Sequence, residues 1–129
     1  MRIGASDPSL TRCSGMAAVS ELVEKLAVLG TLDEQIPAIK SRARGVSGGG
    51  LVLSVACAQL LGQDALVGLD RVRADTAGRA LSPVAMPASM AAGSLARRFK
   101  AGQHAGIEAA VARLTARWLS VLPARRTRR

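Results

Sequence analysis

Between Gly48 and Leu61 the chain has no polar face. Leu51, Val52, Leu53, Val55, Ala56, Cys57, Ala58, Leu60 and Leu61 would surround a helix on nearly every side. Such a helix is normally the buried one. The pattern therefore predicts a central helix over Gly48–Leu61, with the other elements wrapped around it. Ser47 stands ready to cap its start, and Gly62 to end it. Phe99 and Trp118 are the only aromatic residues among 129, with no Tyr. A core of Ala, Leu and Val favours close-packed helices. The same scarcity argues against an RNA-recognition sheet or an OB-fold, which stack bases on aromatic rings.

The flanking segments carry a helical period as well. Val19, Leu22, Val23, Leu26 and Leu29 make one apolar stripe, predicting a helix from Met16 to Leu29 that Gly30 ends. A short turn of helix over Leu32–Ile36 stops before Pro37. Asp64 is placed to cap a helix over Ala65–Ala74. Gly78, Pro83 and Pro87 mark 76–88 as irregular. Ser89 is a candidate cap for a helix over Met90–Phe99 with an inner face of Ala91, Leu95 and Phe99. Ile107, Val111, Leu114, Trp118 and Val121 predict a last helix over Gln103–Leu122. No segment alternates as a strand would. The expected fold is all-α: a compact domain of about five helices over 16–122, with a flexible arm at 1–15 and a basic tail at 123–129. A chain of 129 residues suits a single domain.

MRIGASDPSL lacks the apolar core of a signal peptide. LVLSVACAQLL is too short to span a bilayer and contains Ser54 and Gln59. The expectation is a soluble cytoplasmic protein with no membrane contact. Cys13 and Cys57 alone cannot build a zinc site, and Cys57 reads as a small core hydrophobe. His104 is the sole histidine and has no metal-ligating companion. Gly48–Gly50 lacks the Lys and the preceding strand of a phosphate loop, which leaves a flexible helix entry. The acids lie scattered over helices and caps, not converging as a two-metal site requires. No metal or cofactor is expected in this chain.

The charge is more informative. Eighteen Lys and Arg stand against nine acids, a net +9 that suggests a polyanionic partner. The cations fall into four groups. These are Lys40, Arg42 and Arg44; Arg71, Arg73 and Arg79; Arg97, Arg98 and Lys100; and Arg113 and Arg117 with Arg125, Arg126, Arg128 and Arg129. Each alone reads as a solvated face, but together they suggest a DNA-facing surface.

Several stretches follow one another in a telling order: DPSLTRCSGMAAVSELVEKL, IPAIKSRARGVSGG, LLGQDALVGLDRVRAD, PASMAAGSLARRF and AGIEAAVARL. Across residues 7–122 this order resembles the N-terminal region of bacterial insertion-sequence transposases of the DDE group 1 family. LVGLDRVRAD followed by SLARRF carries most of the resemblance. Met90 stands where the family pattern usually has Thr, and Gly50 where it usually has an acidic residue. The family's catalytic core resembles an RNase H-like sheet whose Asp/Asp/Glu triad holds Mg²⁺. It lies beyond the helical N-terminal part, so the resemblance carries no catalytic residue onto this chain.

The resemblance implies a truncated transposase, inactive alone, with a role in DNA transposition. That role is contact with transposon ends, or assembly as a homodimer or with full-length transposase. Three other roles stay open from sequence: a stand-alone DNA-binding repressor, a helical protein-interaction module, and a relic without function. The candidate DNA contacts are Arg42, Arg44, Arg71, Arg73, Arg97, Arg98, Lys100, Arg113, Arg117, Arg125, Arg126, Arg128 and Arg129.

Overall fold

A computed structural model describes residue 7 and residues 9–42 and 44–123. These are all-helical: α1 (Met16–Lys25), α2 (Val28–Gln35), α3 (Gly48–Leu60), α4 (Val67–Ala74), α5 (Thr76–Ala80), α6 (Ser89–Ala96) and α7 (Ala101–Val121). The tail arginines Arg125, Arg126, Arg128 and Arg129 lie outside the described residues.

Helix α3 follows the local signals in its sequence. The Ser47 hydroxyl accepts the Gly50 N–H at 3.0 Å, filling one donor that a helix start leaves open. At the other end, Gly62 takes a left-handed φ of 80°. The N–H groups of Gly62 and Gln63 then return to the carbonyls of Gln59 and Ala58. This pair of bonds is a Schellman cap, which favours glycine because the left-handed region penalises a Cβ. Leu51, Leu53 and Cys57 are buried on α3, and Leu69 and Val72 on α4. Each large apolar side chain so buried contributes about 1.5–3 kcal/mol.

The segment Met16–Leu29 is not one helix. Ala27 adopts φ 51° and ψ 47°, the left-handed region, and splits it into α1 and α2. Gly30 lies inside α2 and does not end a helix. A left-handed alanine costs about 1–2 kcal/mol. The break turns α2 back into the protein, where Thr31 and Leu32 become buried. Helix α2 ends before Pro37, with Ile36 extended as a residue preceding proline prefers.

Two very close approaches hold α2. A Cβ on Gly49 of α3 would lie 2.5 Å from Asp33 Oδ1 and 2.8 Å from the Asp33 backbone nitrogen. A Cβ on Gly106 of α7 would lie 2.4 Å from the Gln35 carbonyl oxygen. Helix α2 is thus wedged between two glycine-lined backbone contacts, and it shares the centre of the fold with α3. The start of α3 is a packed junction rather than a flexible entry.

The other differences are local. Asp64 caps no helix: α4 begins at Val67 after a tight turn in which the Gly68 N–H reaches the Ala65 carbonyl. The irregular stretch contains α5, whose first turn is capped by the Asp75 carboxylate through the Gly78 N–H at 2.9 Å. Ser89 is the first residue of α6 and not its cap. The inner residue of α6 is Ala92, fully buried, while Ala91 is exposed. Leu95 and Phe99 pack against the core as expected, although α6 stops at Ala96 and Phe99 does so from the turn that follows it. On α7 Gly106 and Ala110 are buried, and Ile107 packs against the core as expected, with Leu114 half-buried. Val111, Trp118 and Val121, expected inside, are 53%, 43% and 67% exposed. The close contact at Gly106 rotates α7 so that its small residues face α2. Residues 9–15 of the expected flexible arm include an anchor: Thr11 donates to Asp75 Oδ2 at 2.5 Å.

Candidate nucleic-acid interface

Lys40, Arg42 and Arg44 enter on the loop between α2 and α3. The Lys40 ammonium turns back and donates to the Arg44 carbonyl, closing the loop on itself. Gly45 then takes a φ of 77°, a conformation in which a side chain would be strained. The closed loop faces the last turn of α6. Between them lies an open cleft of about 470 Å³ lined by Lys40, Arg44, Pro87, Ser94, Leu95 and Arg98, among others, with no carboxylate among its described lining residues. Two groups of cations about fifty residues apart in sequence therefore meet. Arg42 faces a neighbouring hollow of about 350 Å³, which also contains Asp33.

Three aspartates, Asp33, Asp70 and Asp75, are taken up at helix starts. Asp33 accepts the Gly49 N–H at 3.0 Å. Asp70 of α4 accepts the Ser89 N–H at 3.0 Å and the Ser89 hydroxyl, serving as an outside cap for α6. Asp75 caps α5 and holds Thr11. A carboxylate at a helix start meets unpaired N–H groups and the positive end of the helix dipole. The Ser89 hydroxyl and N–H hold the Asp70 carboxyl below its ordinary range, with a smaller push from Arg73. The Thr11 hydroxyl and then the Gly78 N–H do the same for Asp75. Asp33 and Ser47 also occupy donors at the start of α3, which leaves no open phosphate cradle at Gly49 and Gly50.

Among the described residues, the remaining candidate cations do not join the cleft. Arg73 pairs with Asp70 at 3.7 Å, and Arg71 donates to Gln63 at 3.4 Å on the outside of α4. Arg97 points to a shallow hollow beside Leu66 and Met90. Lys100 is exposed at the start of α7, where its N–H donates to the Gln103 side chain at 3.0 Å. Arg113 pairs with Glu34 at 3.1 Å on the surface. Arg117 turns inward. Its guanidinium donates to the Leu26 carbonyl, at the end of α1, and to the Thr31 hydroxyl at 3.2 Å. It therefore staples the α1–α2 corner and is not available to a phosphate. Basic spacing along a helix does not distinguish an inward arginine from an outward one, so sequence reasoning placed Arg117 with the DNA contacts. The Asp75 cap was visible in principle, because Asp-x-x-Gly before a short helix matches an N-cap pattern.

Among the described residues, no group of three His, Cys, Asp or Glu side chains is arranged to hold a metal ion. No described helix is long and apolar enough to cross a membrane. No protein-family model, curated protein or solved structure matches the chain.

Proposed function

We propose that this chain is a helical DNA-binding module that grips the phosphate backbone with the cleft between the 40–45 loop and α6. The observation that carries this is the meeting of Lys40, Arg44 and Arg98 around a cleft with no acid among its described lining residues. Arginine suits the role because its planar guanidinium matches phosphate in a two-pronged contact. Lys40 both shapes the loop and adds charge. The resemblance to the N-terminal region of DDE group 1 transposases supplies the setting: holding transposon-end DNA during transposition, while the cutting chemistry belongs to the family's catalytic core. Arg97, Lys100 and the tail arginines would add looser, sequence-independent attraction.

Binding to a duplex oligonucleotide, measured against salt, tests the proposal. Each phosphate contact contributes about 0.9 to the slope of log K against log salt. Replacing Arg44 and Arg98 together with Ala should flatten that slope by about 1.8. Replacing Arg113 and Lys25, both on other faces, should leave it nearly unchanged. Equal losses from both pairs would reduce the interaction to general charge attraction and sink the cleft as its site.

A further inference from the structure

One face of α7 is hollow at its start and protrudes at its end. The hollow is an apolar groove of about 350 Å³ between α3 and α7, walled by Val52, Val55 and Ala56 and closed by Phe99, His104 and Ile107. The protrusion is Trp118, Leu119 and Leu122, which are 43%, 61% and 44% exposed. His104, Val111, Trp118 and Leu122 stand at i, i+7, i+14 and i+18, so they share a side of the helix. His104 and Trp118 are fourteen residues apart, about 21 Å along the axis. Val111 lies midway and is 53% exposed.

A two-fold axis through Val111 and perpendicular to α7 exchanges the two ends. Residue 104 of one copy then lies over residue 118 of the other, and the protruding Trp118 of each copy faces the groove of its mate. A surface with hole and knob equally spaced from one point is self-complementary, as a two-fold interface requires. We propose that this face pairs with the same face of a second copy of the chain, the two α7 helices running antiparallel about Val111.

Charge favours a second copy over an acidic or lipid partner on this face. Two chains of net +9 repel, so their contact must fall where cations are few. Residues 101–112 contain no Lys or Arg and include Glu108. Arg113 and Arg117 on the same helix are engaged with Glu34 and with Leu26 and Thr31 of their own chain. A strip about 30 Å long and about two helix diameters wide covers on the order of 600–700 Å² of each copy. That is close to the roughly 800 Å² per partner of a standard specific interface. The inference does not rest on the DNA-binding proposal.

The full chain, followed by light scattering from about 1 to about 100 µM, should pass from the 13.3 kDa mass towards twice that value. Trp118 is the sole tryptophan, so its emission should shift to the blue over the same range as it leaves water. Added salt should strengthen the pairing by screening the like charges. Val111→Glu puts two carboxylates together on the axis and should weaken pairing about tenfold or more. It sits at an exposed position, so its circular dichroism should match that of the parent. In a Cys13→Ser background, Val111→Cys should oxidise to a cross-linked dimer. Ala109→Cys, on another side of α7, should not. A single-chain mass throughout, unchanged pairing in Val111→Glu, or equal cross-linking from 109 and 111 would overturn the proposal. So would a Trp118 shift seen only with anionic phosphatidylserine vesicles while the mass stays that of one chain, which would give the face to a lipid surface.

Discussion

The two ends of α7 solve opposite problems with opposite residues. Its first half lies on α2 through Gly106 and Ala110, which leave room for one backbone to approach another. Its second half carries Trp118, Leu119, Val121 and Leu122 into solvent. Residue size alone would assign the core to the second half. Contact depends on how near two backbones can come, and the small residues permit the nearer approach. The resulting rotation of α7 leaves Trp118, Leu119 and Val121 substantially exposed among the described residues, while Ile107 packs against the core.

Glycine substitutions should break this comparison with the largest effect. Gly106→Ala should lose about 2 kcal/mol or more, because its Cβ would meet the Gln35 backbone. Gly49→Ala should behave similarly against the Asp33 backbone. Gly30→Ala faces open space in α2 and should instead gain up to about 1 kcal/mol. Urea denaturation of the three variants measures the contrast, and equal effects at positions 30 and 106 would refute the wedged α2.

The arginines of α7 sharpen the same contrast. Arg117→Ala should cost about 1.5–3 kcal/mol, because it strips charged hydrogen bonds from the Leu26 carbonyl and the half-buried α1–α2 corner. Arg113→Ala removes one exposed ion pair and should cost under about 1 kcal/mol. Thermal unfolding of both variants ranks them, and the reverse order would contradict the inward placement of Arg117.

Acid should loosen the molecule through Asp70 and Asp75. Both carboxyls are held below their ordinary range by hydrogen bonds in the folded state. A depressed folded pKa stabilises above the unfolded value and is lost as pH falls through the folded one. Stability should therefore be flat above about pH 5 and decline below about pH 4. Asp70→Asn together with Asp75→Asn should shrink that decline, as followed by helical circular dichroism against pH. The smallest effect belongs to the protruding end of α7. Trp118→Ala at low concentration should change stability by less than about 0.5–1 kcal/mol, since the ring is substantially exposed.

How far the sequence could be read depended on the range of the interactions involved. Helix α3 was legible to within a residue, because Ser47, the apolar run and Gly62 act over one or two turns of the same segment. The break at Ala27 was not, because nothing near Ala27 asks for a left-handed residue; the burial of α2 and the reach of Arg117 from ninety residues on support it. Asp70 capping α6 was likewise hidden, since the two partners are nineteen positions apart. Within the proposed cleft, Arg44 and Arg98 were individually candidates, but their meeting was not visible.

The sequence by itself determined the helical class and the start and stop of α3. Hydrogen bonds between neighbours and the period of apolar residues are properties of a single segment. It also set the excess of positive charge. Only the tertiary structure decided which side of α7 faces inward, which carboxylates are taken up by helix starts, and which cations remain around one cleft. Those outcomes turn on backbone approach and on partners far apart along the chain, where a helix start can claim a carboxylate that would otherwise offset a basic surface.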